Sequence, residues 1–315
     1  MDFSEYYVAY FDVLGYKEAF KKSDDVSAKL VEAIEQSIDL MKQIVSIVND
    51  PSIDTLEEKS KIEYKVFSDN VLICRKKTEY LLSEFDLVYF LRFIATIQRV
   101  FCENHHLIVR GGITKGPLYL AKDFVAGKAL IDVVELENNA IFPRIVVDDC
   151  ILSELNPKIQ NDFLKKSIET LCQDLLVKDT DGKSFLNYIM DYNAWIPFPK
   201  EGSQSESVES FEELEKLNRE GRLRIPAYNP ECRKDVFVIL KKHKDFVKKN
   251  VNEYSQSSND ETEEAKRLKI LKKYLWLVSF HNKICDHVLY RMPQLKINLN
   301  SVFNEQTLAF YVSVG

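Results

Sequence analysis

Residues 64–73 read Tyr-Lys-Val-Phe-Ser-Asp-Asn-Val-Leu-Ile, two apolar runs joined by a polar Ser68-Asp69-Asn70 step. That pattern predicts a β-hairpin over residues 61–76 with a carboxylate at its tip. Upstream, Tyr-Val-Ala-Tyr-Phe-Asp-Val-Leu-Gly-Tyr (7–16) is a strand-like run broken by a second carboxylate, Asp12. Between the two, residues 26–48 repeat apolar groups at helical spacing and contain no Gly or Pro, so a helix follows the first strand. Downstream, Leu81 to Glu103 returns to helical period, Leu107 to Ile113 reads as strand, and Lys128 to Asn138 as helix. The order β-α-ββ-α-β places the chain in the α+β class, with a ferredoxin-like, split βαβ core and an antiparallel central sheet. Such a sheet can carry aspartates at the ends of adjacent strands.

A carboxylate inside an apolar run is expensive unless something pairs with it or coordinates it. Taken singly, Asp12 also reads as a helix cap and Asp69 as a hairpin Asx turn. As a pair they suggest a Mg²⁺ or Mn²⁺ site, because hard cations take oxygen ligands and shared carboxylates. A third signature is Val-Arg-Gly-Gly-Ile-Thr-Lys-Gly-Pro (109–117), followed by Gly127. Five of the nine glycines (Gly15, Gly111, Gly112, Gly116, Gly127) cluster in these motifs, where the backbone must turn sharply or approach something closely.

The rest of the chain narrows the class. Its 315 residues with 45% hydrophobic content are enough for one large core or two modest ones. A net charge of -6 gives no electrostatic footprint for DNA or RNA. No segment approaches the ~18 apolar residues of a membrane helix and no leader pattern opens the chain, so it reads as cytoplasmic, without a membrane partner. The six cysteines (74, 102, 150, 172, 232, 285) form no CxxC pair and read as reduced core residues. The five histidines lack metal spacing, and Ser68 sits in no Gly-x-Ser-x-Gly elbow. Ile145 to Cys150 reads as strand and 176–186 as a hairpin around Asp181-Gly182. Residues 198–210 and 254–263 are polar, Ser-rich and acidic, and read as mobile loops. The lysines of 241–249 read as a solvated helix face. A long helix follows from Glu264 to Arg291, with Leu268, Leu271, Leu275, Val278 and Ile284 along one stripe. The expected division is a catalytic domain over 1–195 and a helical C-terminal extension over 196–315.

Phe-Asp-Val-Leu-Gly-Tyr (11–16), Phe-Ser-Asp-Asn (67–70), Arg-Gly-Gly-Ile-Thr-Lys-Gly (110–116) and Glu-Leu-Glu (135–137) stand in the order found in class III nucleotidyl cyclases, which the chain resembles. With Phe-Pro-Arg-Ile (142–145) and the late Lys-Tyr-Leu-Trp-Leu-Val-Ser-Phe-His-Asn (273–282), it is similar more narrowly to the bacterial pyrimidine cyclases of the Pycsar antiphage systems. The resemblance implies conversion of UTP or CTP to the 3′,5′-cyclic monophosphate and pyrophosphate. It implies a homodimer with sites at the interface, and a product read by a separate effector. Two Mn²⁺ or Mg²⁺ ions would be held by Asp12, Asp69 and the Val13 carbonyl, with Leu14, Gly15 and Tyr16 leading into a helix that receives the phosphates.

Lys65 occupies the position of the base-selecting lysine of purine cyclases, and Phe124 that of its partner acid. With Phe67, which shares the strand face of Lys65, they are the base- and ribose-binding candidates, although Lys65 also reads as a solvated lysine and Phe124 as a core aromatic. Ile131 and Glu135 stand where the purine branch carries a ribose-orienting Asn and a transition-state Arg. Arg110, Lys115, Lys128 and Arg144 are the cations that could replace that Arg, Arg110 reading otherwise as a strand-end salt bridge. The rival readings are an adenylyl or guanylyl cyclase and a catalytically inactive nucleotide sensor on the same fold.

Overall fold

A computed structural model of the chain describes residues 3–49, 61–77, 83–155, 175–189, 232–257, 260–286, 292–300 and 303. The first strand, β1 (Ser4–Val13), is apolar on both sides because both sides are covered. Tyr7 and Phe11 meet Phe90 and Phe101 of the helix α3 (Ser83–His105), with ring centroids 6.1 and 5.9 Å apart. Tyr6 and Val8 point the other way, into a cluster with Leu72, Leu118, Ala129 and Val133.

The helical stretch after β1 is two helices, α1 (Tyr16–Lys22) and α2 (Asp24–Val48). They separate at Ser23, whose side chain accepts the Val26 N–H at 3.3 Å and so caps α2. Ile34, Ile38, Met41 and Val45 form the buried stripe of α2.

The hairpin forms where expected, as β2 (Ile62–Phe67) and β3 (Asn70–Lys76). Ser68 opens its two-residue turn at a φ of 60°, the sign that lets a tight turn follow strand twist. A serine there carries Cβ strain that glycine lacks. Ser68→Gly should therefore leave the hairpin in place and stabilise the protein by up to about 1 kcal/mol, read as a higher urea midpoint at unchanged slope.

Then come β4 (Val109–Leu120), the short β5 (Val125–Ala126), α4 (Lys128–Asn138), β6 (Ile145–Val147), α5 (Asp149–Glu154) and a second hairpin, β7 (Leu176–Lys178) with β8 (Ser184–Leu186). The sheet runs β2-β3-β1-β4-β6-β8-β7, with β5 paired on β4. β1 is antiparallel to both β3 and β4, and β4 is parallel to β6. The first four strands in this order are the split βαβ arrangement expected from the sequence, extended by β6, β8 and β7.

In the sheet, the ends of β4 and β6 differ from expectation. β4 continues to Leu120 instead of ending near Ile113, because its glycines stay extended to let α4 lie on the strand: a Cβ on Gly112 would sit 2.5 Å from Leu136 Cβ. The strand expected over 145–150 stops at Val147, because Asp148 accepts the Cys150 N–H at 3.3 Å and starts α5.

The described residues divide into two compact units. One holds the sheet and its helices. The other holds 141–143, Ile189 and the residues from 232 onward: α6 (Cys232–Ser255), α7 (Glu261–Cys285) and a 3₁₀ turn at Pro293–Leu295. The loop expected over 254–263 is shorter than that span, since α6 runs to Ser255 and Asp260 caps α7 by accepting the Glu263 N–H at 2.9 Å. α7 ends at Cys285, short of the expected Arg291. The stretch 198–210 and the expected division at 195/196 lie outside the described residues. Cys74, Cys102 and Cys285 are buried free thiols. No described helix is long and apolar enough to cross a membrane.

Candidate functional site

Strand register brings the two sequence-marked aspartates to one end of the sheet. Asp12 pairs across β3 with Asn70 and across β4 with Arg110. The Val13 N–H donates to the Asp69 carbonyl at 3.0 Å, fastening the hairpin tip to the end of β1. The Asp69 carboxylate accepts from Asn70 Nδ2 at 3.1 Å, and the Asn70 side-chain carbonyl accepts the Tyr10 hydroxyl at 2.8 Å. Tyr10 and Asp12 share the sheet face that α4 covers, by the two-residue alternation of the strand. Burial pushes the Tyr10 phenol up, and the negative charges of Glu137, Asp12 and Asp69 push it further. All three acids therefore act on one hydroxyl.

Glu137 was not among the site residues expected from the sequence. It is the third member of a buried α4 row, Ala129, Val133, Glu137, and is only 5% exposed. Arg110 Nη2 bridges the acids, donating to Asp12 Oδ2 at 3.3 Å and forming an ion pair with Glu137 Oε1. Burial raises the Glu137 pKa, the Asp12 carboxylate adds to the rise, and Arg110 opposes it. The signal was present in the sequence: an acid at i+8 of an apolar helical row carries the same desolvation cost that marked Asp12. Tyr10 and Asn70 also lie inside quoted motifs, and only the register shows that they join the site.

The four cations expected as charge stabilisers separate. Arg110 stands beside Asp12. Arg144 has a side chain 1% exposed, is held by Asp179 and Asp181, and lies 5.7 Å from the Phe185 ring, so its charge is already committed inside the fold. Lys115 pairs with Glu154, which also takes Lys77 and the Tyr7 hydroxyl, on the sheet face opposite Asp12. Lys128 pairs with Asp132 one turn on, nine residues or roughly 13 Å along α4 from Glu137.

Lys65 extends from β2 to donate to the Lys122 carbonyl, in the turn that the Ala121 N–H closes on the Phe124 carbonyl at 2.8 Å. Phe67 and Phe124 are 54% and 58% exposed, and Phe124 lies 6.4 Å from the Tyr119 ring. The lysine thus links the two places where the expected aromatics stand in solvent. In the expected phosphate cradle, Gly15 caps α1 at a φ of 93°, which glycine adopts without strain. The Leu14 N–H is already given to the Ile108 carbonyl at 2.9 Å, so phosphate there would draw on the amides after it. Ile131 and Glu135 face outward from α4.

Among the described residues no group of three or more His, Cys, Asp or Glu side chains is arranged to hold an ion. Asp12 and Asp69 supply two carboxylates, which fits a Mg²⁺-type ion whose remaining positions go to phosphate oxygens and water.

No protein-family model matches the chain. No curated protein matches it either. Solved structures do: the guanylyl cyclase Cya2 (10% identity, 59% of this chain and 90% of that one, TM-score 0.38) and the adenylyl cyclase CyaB from P. aeruginosa (12%, 59% and 94%, 0.38). The guanylate cyclase domain of RhGC from Catenaria anguillulae, in complex with GTP, is similar at 11% identity over 58% of this chain and 96% of that one, with a TM-score of 0.36. At these scores the likeness adds nothing to the case that the residues make.

Proposed function

We propose that this chain is a nucleotidyl cyclase that converts UTP or CTP to the 3′,5′-cyclic monophosphate with release of pyrophosphate. One observation supports the reading: two acidic residues from separate sequence motifs, Asp12 near the end of β1 and Asp69 in the adjoining hairpin turn, stand at one end of the sheet. Asp12, Asp69 and the Val13 carbonyl would hold the ions. When bound, two divalent ions make the ribose 3′-hydroxyl a better nucleophile and neutralise the triphosphate and its leaving group.

The protein's own groups position the reactants. The Gly15-Tyr16 turn receives phosphate, and the glycine conformation at Gly15 brings the backbone close. Lys65 with Phe67 and Phe124 frames a base: a lysine can donate to a pyrimidine carbonyl, and exposed rings can stack on it. Where a purine cyclase pairs its lysine with an acid, this chain has Phe124, which favours the smaller ring. Arg110 is the one cation of the four candidates beside the reacting end. The homodimer, the antiphage role and a separate effector for the product rest on the motif resemblance.

A second reading, an inactive nucleotide sensor, has its own support in Ile131 and Glu135, which place no transition-state cation on the outer face of α4. An assay on an equimolar mixture of ATP, GTP, CTP and UTP with Mn²⁺, resolved by liquid chromatography, separates the readings. The cyclase reading expects cUMP or cCMP as the main product. Cyclic purine products in excess overturn the base assignment, and nucleotide-dependent thermal stabilisation without any product supports the sensor.

A further inference from the structure

We propose that Glu137 is a positioning residue for the ion site: it shares the Arg110 guanidinium, so that the Asp12 carboxylate is left able to ligate metal. The inference rests on the reading of Asp12 and Asp69 as the ion-binding pair. Its physical basis is the single nitrogen, Arg110 Nη2, that reaches both acids. Arg110 Nε is buried and takes no hydrogen bond among the described residues, so its two acidic neighbours govern where the guanidinium rests.

A guanidinium with one acidic neighbour closes a full charge-assisted pair on it. That pair would occupy Asp12 oxygens and cancel the charge that attracts the cation. A second carboxylate on the same nitrogen divides the attraction and holds Arg110 toward α4. Glu137 suits this role because it sits in the buried row with Ala129 and Val133 and is only 5% exposed. Its helix is held against the sheet at Gly112, which fixes where the carboxylate is presented.

The test is a double-variant cycle read by direct Mn²⁺ binding to the full chain, from loss of the free-ion electron paramagnetic resonance signal, without nucleotide. Glu137→Gln should weaken Mn²⁺ binding roughly 10- to 100-fold, the usual effect of removing a group that orients a ligand. Glu137→Asp should recover part of that loss. Arg110→Gln added to Glu137→Gln should restore binding, since no guanidinium remains to close on Asp12. The gain from removing Arg110 should be far larger in the Glu137→Gln background than in the wild type.

Unchanged Mn²⁺ affinity in Glu137→Gln overturns the inference. Equal effects of Arg110→Gln in both backgrounds overturn it too, because they indicate that Glu137 acts only through its own charge. Asp69→Asn serves as the reference: if it leaves wild-type Mn²⁺ binding intact, the ion-pair reading itself fails, and that result is distinct from failure of Glu137 alone. Should Glu137→Gln not fold, Glu137→Asp and the double variant, whose two amides can pair with each other, carry the comparison.

Discussion

Asp69→Asn should abolish cyclic nucleotide formation while leaving the protein folded. Asn has the shape of Asp, and the backbone bond that fixes this position, from the Val13 N–H to the residue 69 carbonyl, does not involve the side chain. The Asn70 amide that donates to Asp69 Oδ1 can donate equally to an amide oxygen. Only the negative charge is lost. A divalent ion held by Asp12 and Asp69 would supply several kcal/mol of transition-state stabilisation, so losing one of the two proposed carboxylate ligands should lower kcat/KM by roughly 10³-fold or more. Melting temperature should hardly change, because Asp69 lies in a turn and supports no core packing. Turnover within tenfold of wild type would remove Asp69 from the chemistry and return it to the hairpin-turn role. The parallel substitution at Asp12 is less clean, since it also strips Arg110 of an acidic neighbour.

This asymmetry shows what could be read from the sequence. The hairpin was legible because Ser68-Asp69 interrupts two β-type runs and the turn is a local event. α4 was legible to its first and last residues because Gly127 precedes it and its apolar residues recur at helical spacing. The split βαβ order followed from these elements alone, and the register then made Asp12 and Asp69 neighbours.

What stayed hidden depends on pairing between distant segments. Arg144 looks like any strand-end arginine until the second hairpin delivers Asp179 and Asp181 to it. Lys115 alternates away from Asp12 because the glycine-rich segment remains a regular strand, and a glycine-rich run gives no warning of that. Glu137 was visible as an acid in an apolar row, but its partner Arg110 is 27 positions away. His243 lies in a lysine run that reads as a solvated face. Its neighbours Lys241, Lys242, Lys248 and Lys249 do face solvent, while His243 takes the inward position of the same helix.

That inward histidine leads to the largest stability effect expected here: the helical unit should lose stability steeply as pH falls from 7 to 5. His243 of α6 and His281 of α7 are both buried, their rings parallel within 5° and their Nδ1 atoms 3.1 Å apart. His281 Nε2 lies 2.9 Å from the Leu295 carbonyl. A carbonyl can only accept, so Nε2 carries the proton, neutral His281 offers Nδ1 as acceptor, and His243 Nδ1–H donates to it. Protonating His281 would set two N–H groups against each other.

The Leu295 carbonyl favours the His281 proton but does not outweigh burial. Phe280 meets the His243 ring edge-on, Cys285 Sγ lies 3.4 Å from His281 Nε2, and the positive charge of Lys244 lowers the His281 pKa further. Asp286, beside Cys285, is paired with Lys296 at 2.5 Å. Burial accordingly takes the His281 pKa down to about 4, and burial, followed by the His281 charge, takes His243 well below the usual value.

A histidine whose folded pKa is depressed binds its proton mainly in the unfolded chain. Its stability contribution is intact above the unfolded pKa of roughly 6.5 and is lost as pH falls through the interval down to the folded value. For His281 the loss at pH 5 is about 2 kcal/mol, and His243 acts in the same direction. In a chain carrying Trp195→Phe, the fluorescence of Trp276 on α7 reports unfolding of this unit. His281→Gln keeps a donor for the Leu295 carbonyl and an acceptor for His243 but does not titrate, so it should flatten the acid limb of the stability profile. The same decline between pH 7 and 5 in wild type and His281→Gln would place the acid sensitivity outside the histidine pair.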